Sequence, residues 1–141
     1  MPERRPAGRA RPALVFAAGD LPLAHVAADV IRRATAERAY VVAADGGLVH
    51  AASLGVTPDL IIGDFDSVPV HVLAAYPVER VARYPVAKDE MDLELALNAA
   101  VAGGATSVSV LGAFGGRLDH SLAALLVAAR LAGTGLRLDL H

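Results

Sequence analysis

Four short clusters in this chain combine charged side chains with glycine: Asp45-Gly46-Gly47, Gly63-Asp64-Phe65-Asp66-Ser67, Lys88-Asp89-Glu90-Met91-Asp92 and Gly115-Gly116-Arg117-Leu118-Asp119-His120. In extended chain, residues two apart face the same way, with Cα atoms about 6.5–7 Å apart. Asp64 and Asp66 so placed can share a hard cation such as Mg²⁺, directly or through its waters. Phe65 then turns the other way, into packing. Asp66 or Ser67 can equally cap a helix beginning near Pro69. Asp89 and Asp92 have the spacing of a capping box with a shorter acid. Lys88 does not fit that local reading, because a cation just before a helix start opposes the helix dipole. It is also the sole lysine among 13 basic residues, the rest being Arg. A compact, mobile ammonium in such a chain points to contact with a transferring phosphate.

In the last cluster, Gly115 and Gly116 let backbone N–H groups approach a phosphate at a helix start. Arg117 can hold phosphate oxygens bidentately. Asp119 can join a metal cluster or accept a proton, or simply cap the helix. His120 is then a ligand contact or a half-buried helical residue. Asp45-Gly46-Gly47 reads either as a hairpin turn or as a strand–turn–helix. The apolar spacing of Leu48, Val49, Ala51, Ala52 and Leu54 favours the second. His25, His50 and His71 lie away from these clusters and read as surface or core filler. Phosphate-binding loops of the form G-x-x-x-x-G-K-[ST] are absent, as is a G-x-G-x-x-G turn after the first strand. There is no G-x-S-x-G nucleophile elbow. The sum is a Mg²⁺-dependent phosphoryl-type transfer site: Asp side chains for metal, Lys and Arg for a polyphosphate.

These clusters must be brought together by the elements between them. Short apolar runs alternate with helical patterns. Strands are predicted at 13–17, 40–43, 60–62, 80–84, 107–111 and 136–140. Helices are predicted at 22–36, 48–54, 70–75, 90–102 and 118–131. On the first helix, Leu23, Val26, Ala27, Val30 and Ile31 form the apolar face. This order predicts an α/β domain, a three-layer α/β/α sandwich around a mainly parallel, Rossmann-like sheet. In such a sheet the strand C-termini share one edge, and ligands bind where the strand order reverses. All four clusters follow strands, so all four converge there.

Composition sets the limits. The chain has 141 residues, enough for one domain with a single core. A hydrophobic fraction of 55% against 20% charged excludes a disordered chain. The net charge of −2 argues against a nucleic-acid partner. No apolar run reaches the roughly 18–20 residues of a membrane span. The chain has no Cys, hence no disulfide and no thiolate metal site. Residues 1–12, rich in Arg and Pro, read as a disordered tail of a cytoplasmic protein, with the domain running from 13 to 141.

The clusters resemble thiamine pyrophosphokinase, also called thiamine diphosphokinase. The matching stretches are 44–47, 58–67, 88–96 and 115–120, in the family's order and spacing. The resemblance implies transfer of the β,γ-pyrophosphoryl group of ATP to the thiamine hydroxyl, giving thiamine diphosphate and AMP. Asp64, Asp66 and Asp92 match the acidic positions associated with Mg²⁺ and catalysis. Asp45, Lys88, Arg117 and Asp119 match other positions in the same cleft. Met91 stands where the family usually has Thr. The family normally adds a C-terminal β-rich domain that helps bind thiamine across a homodimer. The chain stops where that domain would start, so the expectation is the catalytic domain alone, binding thiamine weakly and ATP–Mg²⁺ better. Two rival readings are a nucleotide-binding relative without turnover and a metal-dependent phosphohydrolase.

Overall fold

The computed structural model describes residues 11–63, 65, 68–83, 92–115, 130, 133 and 135–141, with Arg83 and Asp92 described by their backbone. The strands are β1 (Pro12–Phe16), β2 (Tyr40–Ala44), β3 (Leu60–Gly63), β4 (Val81–Arg83), β5 (Ser107–Leu111) and β6 (Arg137–Leu140). They form one sheet in the order β4-β3-β2-β1-β5-β6. Every pairing between these strands is parallel. The named helices are α1 (Ala24–Ala36), α2 (Gly47–Ser53), α3 (Val70–Leu73) and α4 (Asp92–Ala102), and a 3₁₀ turn over Val78–Arg80 leads into β4.

Alternation along the strands divides the core in two. Ala13, Val15, Val42, Ala44, Val108 and Val110 face Leu93, Ala96, Leu97 and Ala100 of α4. Leu14, Phe16, Ala43, Ile61 and Leu111 face Ala27 and Val30 of α1 and Leu48 and Ala51 of α2. Phe65, Val68 and, at its margin, Val72 and Leu73 join this second core. The chain moves outward one strand at a time from β1 to β4, keeping α1, α2 and α3 on one face. It then reverses past β1 to β5, and α4 covers the other face. Right-handed crossovers require this division. The expected three-layer, parallel architecture is present, and both faces are dry enough to account for the continuous apolar strands.

Several boundaries differ for local reasons. β1 begins at Pro12, and the Arg11 N–H donates to the Thr106 hydroxyl at 2.7 Å, so 11–12 belong to the domain rather than to the tail. Proline lacks a donor and is tolerated as the first residue of a strand. α1 begins two residues late, with Leu23 as its N-cap in extended conformation. Leu23 therefore leaves the apolar face and is 71% exposed. The strand expected from Arg80 begins at Val81, because Arg80 closes the 3₁₀ turn and donates to the Pro58 carbonyl at 3.2 Å. Asp45-Gly46 is a strand-to-helix turn and not a hairpin. The helix expected at 118–131 falls outside the described residues, apart from Arg130, which is helical and pairs with Glu94 of α4.

Candidate active site

Strand C-termini meet along one edge, in two halves. At the first, β2 and β3 end side by side. The Asp45 N–H donates to the Ile62 carbonyl at 2.8 Å. A Cβ placed on Gly63 would come within 3.1 Å of the Asp45 Cβ, so the two chain ends are in close contact. The sheet thus joins Asp45-Gly46-Gly47 to the first residue of Gly63-Asp64-Phe65-Asp66-Ser67. Asp45 is half-buried, with its Oδ1 shielded from solvent.

Backbone strain marks the same place. Among the described residues, three non-glycine positions have positive φ: Arg38 at 54°, Asp45 at 44° and Phe65 at 67°. Arg38 follows the α1 C-terminus, where left-handed residues are common. Asp tolerates this region. Phe65 does not, and such a residue costs about 1–2 kcal/mol. Burying its side chain, 6% exposed, returns about 1.5–3 kcal/mol, enough to hold it there. Phe65 does turn into packing as expected. However, its left-handed backbone breaks the extended run on which the same-side placement of Asp64 and Asp66 was argued. Pro69 is the N-cap of α3, and the capping alternative for Asp66 or Ser67 falls on residues outside the described ones.

The second half lies where the strand order reverses, between β1 and β5. Here the two loops are joined by backbone hydrogen bonds beyond the strands. Ala17 N–H donates to the Leu111 carbonyl at 2.8 Å, Gly19 N–H to Gly112 at 2.8 Å and Asp20 N–H to Phe114 at 2.7 Å. Space is minimal. A Cβ on Gly112, which also has φ of 82°, would overlap the Ala17 carbonyl oxygen. A Cβ on Gly115 would overlap the Asp20 carboxylate. Gly112 and Ala113 N–H both reach the His141 carbonyl at 3.1 Å, so those two donors are committed to the fold.

α2 ties the halves together. Gly47, its first residue, sits so close to the Phe16 carbonyl at the end of β1 that no Cβ fits. His50 Nε2 is 2.7 Å from the Gly19 carbonyl oxygen. The reading of His50 as filler is therefore corrected: it is half-buried and bonded to the loop after β1. His25 and His71 are exposed, as read. Gly19, Asp20 and His50 are the residues that sequence reasoning missed. Gly19-Asp20 gave only an ordinary turn signal, and nothing local ties it to residues 112–115.

Of the other expected site residues, Asp64, Asp66, Lys88, Gly116, Arg117, Asp119 and His120 lie outside the described residues. So do Ser67, Asp89 and Met91. Asp92 is described by its backbone, at the start of α4, which packs on β2, β3 and β1. Among the described residues no group of three His, Cys, Asp or Glu is gathered to hold a metal. Asp59, within the second matching stretch, has a structural job. Its Oδ2 accepts the Val41 N–H at 2.9 Å at the opposite edge of the sheet. A cavity of about 400 Å³ opens at that opposite edge, beside Ile31, Arg38, Leu54, Val56 and Asp59. It holds none of the expected site residues. No described helix is long and apolar enough to cross a membrane.

This arrangement has clear relatives. The structure of thiamine pyrophosphokinase from Bacillus subtilis matches with a TM-score of 0.77 and 26% identity, over 93% of this chain and 60% of that one. A thiamin pyrophosphokinase family protein from Enterococcus faecalis matches at 0.68 and 29%, over 94% and 61%. Thiamin pyrophosphokinase from Geobacillus thermodenitrificans matches at 0.72 and 27%, over 92% and 59%. The chain thus spans about three fifths of the length of these proteins. No curated protein matches it. Residues 31–140 match the family model described as thiamin pyrophosphokinase, catalytic domain. With most of its length inside that match and its sheet edge built as the fold demands, the chain belongs to the thiamin pyrophosphokinase catalytic-domain family.

Proposed function

We infer that this chain transfers the pyrophosphoryl group of ATP to the hydroxyl of thiamine, giving thiamine diphosphate and AMP. The observation that carries the reading is the sheet edge itself. Two of the four clusters adjoin there through Asp45 and Gly63, and a third begins at Gly115 beside the reversal of strand order. The fourth ends at Asp92, the first residue of α4, and that helix packs on β2, β3 and β1.

Asp64, Asp66 and Asp92 are the residues that would hold Mg²⁺. An all-carboxylate donor set suits a hard, oxygen-seeking cation. When bound, Mg²⁺ supplies charge neutralisation on the polyphosphate. Lys88 and Arg117 bind and orient phosphate oxygens. Asp45, Gly46, Gly47, Gly115, Gly116 and His120 contribute to ATP binding, the glycines by admitting the nucleotide close to the backbone. Asp119 takes the proton from the thiamine hydroxyl. That oxygen then forms a bond to the β-phosphorus, the bond from this phosphorus to the α,β-bridging oxygen breaks, and AMP leaves with the electron pair. Catalysis is positioning and electrostatic stabilisation, as expected where the nucleophile is a simple hydroxyl. Residues 11–141 form the catalytic domain, with β1 starting at Pro12, and we place the protein in the cytoplasm as a homodimer, following the family resemblance.

The test is AMP release from ATP and Mg²⁺, with and without thiamine. Thiamine-dependent AMP is expected, and Asp64→Asn should lower its rate by about 100-fold or more. AMP or phosphate released equally without thiamine would make the chain a phosphohydrolase. Nucleotide binding without any product would leave a binding module and overturn the transfer.

A further inference from the structure

We propose that His50 is a positioning residue of this site: its imidazole orients the Gly19–Asp20 peptide and so sets the loop after β1 against the Gly115 turn. The proposal rests on the reading of this sheet edge as the nucleotide site.

A carbonyl oxygen can only accept, so the 2.7 Å contact requires the proton on His50 Nε2. The accepting carbonyl belongs to Gly19, and the N–H of the same peptide unit belongs to Asp20. That N–H donates to the Phe114 carbonyl at 2.7 Å. A peptide unit is planar and rigid. It is therefore held at both ends, by α2 on one side and by the loop after β5 on the other. Removing the imidazole frees one end beside a glycine, the residue whose backbone turns most easily. The peptide leads directly into Asp20, whose carboxylate fills the space beside Gly115. Rotation of the peptide would therefore move the first residue of Gly115-Gly116-Arg117.

The placement of His50 gives this link its use. His50 lies three residues after Gly47, so both lie on one side of the same short helix. Asp45-Gly46-Gly47 leads into that helix. One rigid element thus carries a cluster from the first half of the site and a hydrogen-bond donor that fixes the second half. Filler on α2 would need bulk only; this contact needs an N–H at a set reach.

The test compares the full chain with His50→Gln, which keeps a side-chain N–H, and His50→Leu, which keeps bulk alone. His50→Asn, polar but short, replaces Leu if the latter fails to fold. ATP–Mg²⁺ affinity is measured by calorimetry, urea unfolding reports stability, and amide resonances of Gly19, Asp20 and Gly115 are read without nucleotide. Leu or Asn should weaken affinity by about tenfold and shift those amides, whereas Gln should come within about threefold with amides near the original positions. Unchanged affinity in the Leu or Asn variant, or equal losses in Gln and Leu, would overturn the proposal. An unsubstituted chain that binds no ATP–Mg²⁺ would overturn the nucleotide reading instead. The amides then decide the positioning role: a shift in Leu that Gln reverses upholds it, and no shift removes it.

Discussion

At the scale of single residues, the absence of a side chain matters as much as the charged groups. Gly47 must pass against the Phe16 carbonyl, and both partners are backbone. Neither can retreat without shifting β1 or α2. Gly47→Ala is therefore expected to cost about 3 kcal/mol of unfolding free energy in urea, the upper range for overpacking. Gly55 is the useful contrast. It has φ of 72°, but nothing lies within 4 Å of where a methyl would stand, so only left-handed strain remains. Gly55→Ala should cost about 1–2 kcal/mol. If the two substitutions prove equally mild, close approach at Gly47 is not what shapes this edge. Phe65 shows the opposite economy, with a strained backbone held by a buried ring.

At the scale of elements, a strand can hold the sheet at one end and serve the candidate site at the other. β2 shows this well. Its start is anchored where Asp59 accepts the Val41 N–H, and its end delivers Asp45. Tyr40 reports on the anchored end. Burial holds its phenol above the ordinary tyrosine value of 10.0, the Asp59 carboxylate adds to the rise, and Arg11 opposes it. A phenol with a raised folded-state pKa contributes its stability below the unfolded value, and that contribution is lost as pH climbs through the folded value. Urea midpoints should therefore fall above about pH 10. Tyr40→Phe should lessen that alkaline decline. An identical decline in the variant would remove Tyr40 as its source.

At the scale of the whole molecule, ligand binding and folding are linked. A ligand that binds only the folded chain stabilises it by about 2.7 kcal/mol at a hundredfold excess over Kd. ATP with Mg²⁺ is therefore expected to raise the melting temperature by several degrees. If Asp64 and Asp92 hold Mg²⁺ as proposed, Asp64→Asn and Asp92→Asn should each reduce that rise. A melting temperature indifferent to ATP and Mg²⁺ would count against the assembled site.

Periodicity alone determined the succession of strands and helices, because a half-buried helix and a doubly covered strand each impose an apolar spacing that the residues must carry. The same local information identified the four clusters and the turn-to-helix character of Asp45-Gly46-Gly47. It could not supply the strand order, since the pairing of β1 with β5 joins residues more than ninety positions apart. That pairing brings Gly19-Asp20 to residues 112–115 and gives His50 a carbonyl to hold. Nor could it foresee the left-handed backbone at Phe65, which the second core holds in place through burial from several elements at once. Local chemistry was legible because it resides in neighbouring residues. The joining of the two halves of the site was decided by tertiary structure, because only the folded sheet brings their backbones within hydrogen-bond distance.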